Sequence, residues 1–183
     1  NDDGPGGTLA AAGPCVTRTS NGLPVTGTVL IDKADVPAMI RNGSLDETVL
    51  HEMTHVVGFG TLWRRKGVLQ GAGGSNPRFS GNKANSAWRA LGGTGSVPVE
   101  NSGGGGTRDG HWRESVLKSE LMTGYANSGF NPMSTVSVAS LGDLGYRVNL
   151  AKADRLTLKA DPTTGDPQPT KAKELFEEEL FGP

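Results

Sequence analysis

The 183-residue chain has only three histidines, and two of them bracket a glutamate in His51-Glu52-Met53-Thr54-His55. If this stretch is helical, four residues at about 100° each bring His55 back to within about 40° of His51, so both imidazoles can reach one ion. Glu52 lies one step around the helix, close enough to take a proton from a water on that ion without binding the ion itself. Imidazole ligands beside a carboxylate base suit zinc better than calcium or magnesium. Zinc also lowers the pKa of a bound water to about 7, which makes the water a nucleophile that Glu52 can deprotonate. The chemistry expected is metal-assisted hydrolysis, with one catalytic zinc and Glu52 as general base.

A catalytic zinc usually takes three protein ligands and keeps one position open. His111, in Asp109-Gly110-His111-Trp112, is the remaining histidine and the expected third ligand. Glu100, Glu114 and Glu120 are the rivals, each able to complete a site of two histidines and one carboxylate. A different class of protein, a binding module stapled by structural zinc, would need no base and would close the fourth position. The presence of Glu52 favours hydrolysis.

The elements around these residues must hold them in place. Ser44-Leu45-Asp46-Glu47 has the form of a capping box and predicts a helix from Ser44 to about Val57, stopped at Gly58. Val49, Met53, Val56 and Val57 are expected to face the core, and His51, Glu52 and His55 another side. Val25 to Ile31 reads as a strand, and Asp35 to Ile40 as a helical turn. Residues 58–110 are rich in glycine and weakly periodic, with a short helix near Lys83 to Leu91 and a strand near Ser96 to Glu100. Turns and a short helical segment follow from His111 to Tyr125. A last helix, Thr135 to Leu144, ends at Gly145, a natural residue for a helix end. Residues 1–150 read as one domain, and 151–183 as a tail or linker with an acidic amphipathic stretch at Lys171 to Phe181.

Composition supports a folded, loop-rich domain: 34% hydrophobic residues, 28 glycines and 11 prolines. The net charge is −1, so no global field selects nucleic acid or an anionic membrane. No apolar run approaches the roughly 18–20 residues needed to span a bilayer. Cys15 is the only cysteine and its surroundings offer nothing to activate it, so a buried or unpaired structural thiol is expected. The opening Asn1-Asp2-Asp3 has neither an initiator Met nor a signal peptide, and reads as a processed or trimmed start.

The run from His51 to Gly60 resembles the zinc helix of the metzincin peptidases, with Gly58 in the place of the glycine that turns the chain toward the third ligand. Thr61 stands where the usual metzincin has its third histidine. Leishmanolysin-like peptidases insert a long segment at this point, and residues 59–110 resemble that insertion. Val97 to Asn101, Gly106-Thr107, His111 to Glu114, Glu120 to Tyr125 and Ala139 to Tyr146 also resemble members of that family.

The resemblance implies an α+β, metzincin-like zincin catalytic domain with a long Gly-rich insertion before the third ligand. It implies zinc on His51, His55 and His111, and Met122 as the Met-turn residue under the site. Substrates would be proteins or peptides, and the enzyme extracellular or on the cell surface, made with an N-terminal prosegment. Metzincins place several strands and a helix before the zinc helix, whereas only 50 residues precede His51. Part of the upper subdomain is therefore expected to lie outside this chain.

Overall fold

The computed structural model describes residues 3–158, a mixed α and β architecture. Strand β1 (Ala10–Thr17) pairs antiparallel with β2 (Pro24–Ile31). The register slips at Cys15, between the pairs Pro14–Gly27 and Val16–Thr26. Such a bulge suits a strand interrupted by Pro14, which has no amide to give to the ladder. Helix α1 (Val36–Asn42) ends at Gly43, whose φ of 76° lets the chain turn directly into α2 (Leu45–Val56).

The start of α2 differs from the expected capping box. Ser44 sits in a helical conformation (φ −92°, ψ −3°), from which its side chain makes no capping bond, and its hydroxyl donates to Asn42 Oδ1 at 2.8 Å instead. Glu47 is drawn into a tertiary contact, accepting from Asn131 N (3.1 Å) and Nδ2 (2.7 Å). The inward face also differs. Met53 and Leu50 are 55% and 43% exposed, Val49, Val56 and Val57 are half-buried, and Thr48, His51, Glu52, Thr54 and His55 are buried. The valine side rests on the β1–β2 hairpin: Val56 crosses Gly27 so closely that a β-carbon there would lie 2.5 Å from its Cγ1. The polar side turns toward the rest of the domain.

Residues 59–110 are not bare loop. They contain a small antiparallel sheet of β3 (Leu69–Gln70), β4 (Arg78–Phe79) and β5 (Val97–Pro98), and helix α3 (Asn82–Ala90). The segment also supplies aromatic core. Its Phe59, Trp63 and Phe79, together with Trp112 just beyond it, are fully buried, with neighbouring ring centroids 4.6–5.5 Å apart. Edge-to-face and tilted contacts of this kind add to the burial of large apolar area. Short helix α4 (Glu114–Leu117) follows His111, and α5 (Thr135–Leu144) ends at Gly145 with φ 118°, as expected. Helix α3 packs on α5, and Asp143 of α5 accepts from the Lys83 and Ala84 amides at 2.9 Å each. The residue before α3, Gly81, has no side chain to do this. A 3-10 turn (Leu150–Lys152) leads to Asp154, which accepts from Met133 N at 2.9 Å, and to buried Leu156. The acidic stretch Lys171 to Phe181 lies outside the described residues.

Cys15 is a free thiol, exposed rather than buried. It faces Thr28 Oγ1 at 3.1 Å, on the hairpin surface that lines a cleft. No helix among the described residues is long and apolar enough to cross a membrane.

Candidate metal centre

His51 and His55 project from one side of α2, and His111 reaches them from the loop after the Gly103–Gly106 run. The three Nε2 atoms form a triangle: His51–His55 2.8 Å, His55–His111 3.1 Å and His51–His111 3.2 Å. All three rings are buried. Among the described residues this is the group of three metal-ligating side chains placed to hold an ion.

The opposite ring nitrogens fix the tautomers. His51 Nδ1 lies 2.7 Å from Leu121 O, His55 Nδ1 2.9 Å from Phe59 O and His111 Nδ1 2.9 Å from Thr107 O. A carbonyl only accepts, so each Nδ1 donates and each Nε2 presents a lone pair. Protonation does not resolve this convergence of lone pairs. Burial pulls the His51 pKa down to about 4 and, aided by neighbouring His51, that of His111 to about 3. Burial, with His51 and His111 adding to it, also holds His55 well below the usual range.

Three neutral donors aimed at one another call for a cation between them. A triangle with these sides has a circumscribed radius of roughly 1.8 Å, so a point about 1 Å off its plane lies roughly 2.0 Å from each nitrogen, a zinc–imidazole distance. The residues present fit the metal. The carbonyl–imidazole pairs are the usual outer support of such a site.

Local structure explains how the carbonyls arrive. Gly58 takes φ 108°, and a side chain there would meet Leu62 Cδ1 at 2.6 Å. This left-handed turn ends the helix and swings Phe59 O back to His55. Thr61, in the place of the short-pattern histidine, donates its hydroxyl to His55 O at 2.9 Å and closes the helix end. Gly60 adopts φ 71° against the Gly110 carbonyl, where no β-carbon would fit, so the His111 loop can approach α2.

Glu52 is fully buried, and neither carboxylate oxygen has a partner. Burial raises its pKa to about 8. Glu52 and His51 line a small pocket with Thr48, Leu121, Tyr125 and Asn131. On the His55 side lies a larger cleft of about 420 Å³, walled by Ala11 to Cys15 of β1, by Arg64 and Arg65, and by the 105–110 loop.

The rival carboxylates stand outside the histidine cluster, and Glu100 and Glu120 are fully engaged, whereas Glu114 keeps one buried oxygen, Oε2, without a partner. Glu100 accepts from Asn101 N, Ser102 N, Ser102 Oγ and Glu114 N. Glu114 Oε1 accepts from Asn127 at 3.2 Å. Glu120 is bonded to Met122, Ser134 and Ser137. Met122 is fully buried, and its carbonyl accepts from Trp112 N at 3.0 Å. The sequence offers no signal for the three orienting carbonyls, because any residue supplies one.

No curated protein and no solved structure matches the chain. The family model Peptidase M8, described as leishmanolysin, matches residues 3–164, most of the chain. With the order of motifs, the turn at Gly58 and the imidazole triangle in view, the chain belongs to the leishmanolysin family of metallopeptidases.

Proposed function

We propose that this protein is a zinc-dependent endopeptidase that hydrolyses peptide bonds of protein substrates, with His51, His55 and His111 holding the metal and Glu52 as general base. The observation that carries the reading is the convergence of three neutral Nε2 lone pairs beside an unpartnered buried carboxylate. Zinc, when bound, supplies a Lewis acid that polarises the scissile carbonyl and acidifies water. Glu52 takes the proton of the attacking water on its free carboxylate and later delivers it to the leaving amine.

The substrate lies in the cleft beside His55. There β1 pairs with β2 on one edge only among the described residues, leaving an edge on which an extended peptide can add. Met122 forms an apolar floor to the site. In this reading residues 1–150 are the catalytic unit, 59–110 intervene before the third ligand, and 151–183 are a tail or linker whose first residues pack back on the domain through Asp154 and Leu156. Members of the family are surface or secreted proteins, and we assign this chain to the same setting.

The test is cleavage of an unfolded protein substrate. Activity is expected to vanish with a chelator, return with stoichiometric zinc, and be absent in Glu52→Gln even when that variant carries one zinc per chain. Cleavage that survives chelation, or full activity in Glu52→Gln, would overturn the assignment.

A further inference from the structure

Glu120 is a buried carboxylate that the hydrolytic step does not use. Its Oε2 accepts from Met122 N at 2.6 Å, while Oε1 accepts from Ser134 N (3.0 Å), Ser134 Oγ (2.6 Å) and Ser137 Oγ (2.5 Å). Ser137 Oγ in turn accepts from Trp112 Nε1 at 2.8 Å. The pieces tied together this way each carry part of the metal site. Trp112 follows His111 directly, and its amide donates to Met122 O. Leu121, between Glu120 and Met122, provides the carbonyl that orients His51. Ser134 caps the N-terminus of α5 and Ser137 lies in its first turn, and that helix is anchored on α3.

We propose that Glu120 is a positioning residue for zinc: by clamping the Leu121-Met122 turn and, through Ser137, the Trp112 indole onto α5, it sets the spacing of His51 and His111. This rests on the metal-site reading above and adds a residue to it.

The chemistry of the cluster explains why a carboxylate is needed. The two amides and the two hydroxyls all direct hydrogens at the Glu120 oxygens, and Ser137 Oγ already accepts from the indole. An acceptor-only group matches this set. The isosteric Glu120→Gln turns an NH₂ toward groups that donate, so at least one buried donor loses its acceptor, which costs more than a missing bond at the surface. The strain falls on the turn that holds His51 and on the segment that holds His111.

The test compares wild type with Glu120→Gln, Ser137→Ala and Leu144→Ala as full chains. Leu144 is a buried residue of α5 outside the network and controls for general loosening of the core. Zinc affinity is read by competition with a chromophoric chelator. Site geometry is read from the visible absorption of the cobalt-substituted protein, well below the unfolding temperature of each variant. Glu120→Gln is expected to weaken zinc binding by about 10–100-fold and to alter the cobalt spectrum, and Ser137→Ala to do both to a smaller degree. Leu144→Ala is expected to lower stability while leaving affinity and spectrum unchanged. Should Glu120→Gln fail to fold, Ser137→Ala carries the decision. Affinity within about twofold of wild type and an unchanged spectrum in the folded network variants would overturn the proposal. So would an equal loss of affinity in Leu144→Ala. Wild-type protein that binds no zinc would remove the metal-site reading as well, a result distinct from either.

Discussion

Replacing Glu52 by Gln should stabilise the metal-free protein while destroying its activity, and the gain should depend on pH. Glu52 is buried without a hydrogen-bond partner, and its pKa is raised from 4.5 to about 8. Between those values the folded protein holds a proton that the unfolded chain has lost. Native stability therefore falls as pH rises through that window. At roughly 1.4 kcal/mol for each pH unit between those two values, the full cost is on the order of 5 kcal/mol by about pH 8. At about pH 7 it is up to roughly 3 kcal/mol, and near pH 4.5 it disappears.

Gln does not ionise and keeps the shape of the side chain, so Glu52→Gln removes this pH dependence and leaves that of the histidines in place. Urea unfolding of the chelated wild type and variant, at several pH values from about 4.5 to 8, measures the difference directly. The stability gap should open in favour of Gln as pH rises. A gap that stays flat across the window would show that Glu52 is solvated or paired, and would remove the desolvated base from the account.

The other expectations concern the ligands and their floor. His111→Ala should lose most bound zinc and all activity, whereas Glu100→Gln and Glu114→Gln should each retain one zinc per chain by metal analysis. Met122→Leu should cost under about 1.5 kcal/mol, as volume-conserving core swaps do, and Met122→Ala about 2–5 kcal/mol with weaker zinc retention, both read by denaturant unfolding and metal content. The folded-state pKa values of His51 and His111, about 4 and about 3, lie below the ordinary 6.5. Their contribution to metal-free stability is thus fully present above about pH 6.5 and lost as pH falls toward 4. Acid unfolding of the chelated protein should be accompanied by proton uptake in that range.

The grouping of the three histidines was more legible in the sequence than the architecture that supports it. The spacing of His51, Glu52 and His55 fixes their relation on any helix, and Gly145 marks the end of α5 whatever the helix packs against. The capping box failed because Ser44 enters α2 straight from the turn at Gly43, in a conformation that turns its hydroxyl away, while Glu47 finds a stronger partner in Asn131. The inward face of α2 was misread because hydrophobicity selected the side on Gly27 and the hairpin, whereas the fully buried side carries the histidines and Glu52.

The core within residues 59–110 left no periodic trace. Phe59, Trp63 and Phe79 reach it from turns and two-residue strands rather than from one face of a long element. Least visible of all were the groups that finish the site. Leu121 O, Phe59 O and Thr107 O act through the backbone, and Glu120 looked like a possible ligand until its oxygens were seen to be fully engaged.

Anomalous diffraction at the zinc edge, on crystals of the zinc-loaded chain, locates the metal and its ligands. The predicted result is a single strong peak about 2.0–2.1 Å from the Nε2 atoms of His51, His55 and His111, with Glu52 near it but not bound to it. A peak held by His51, His55 and one of Glu100, Glu114 or Glu120, with His111 turned away, would contradict the account.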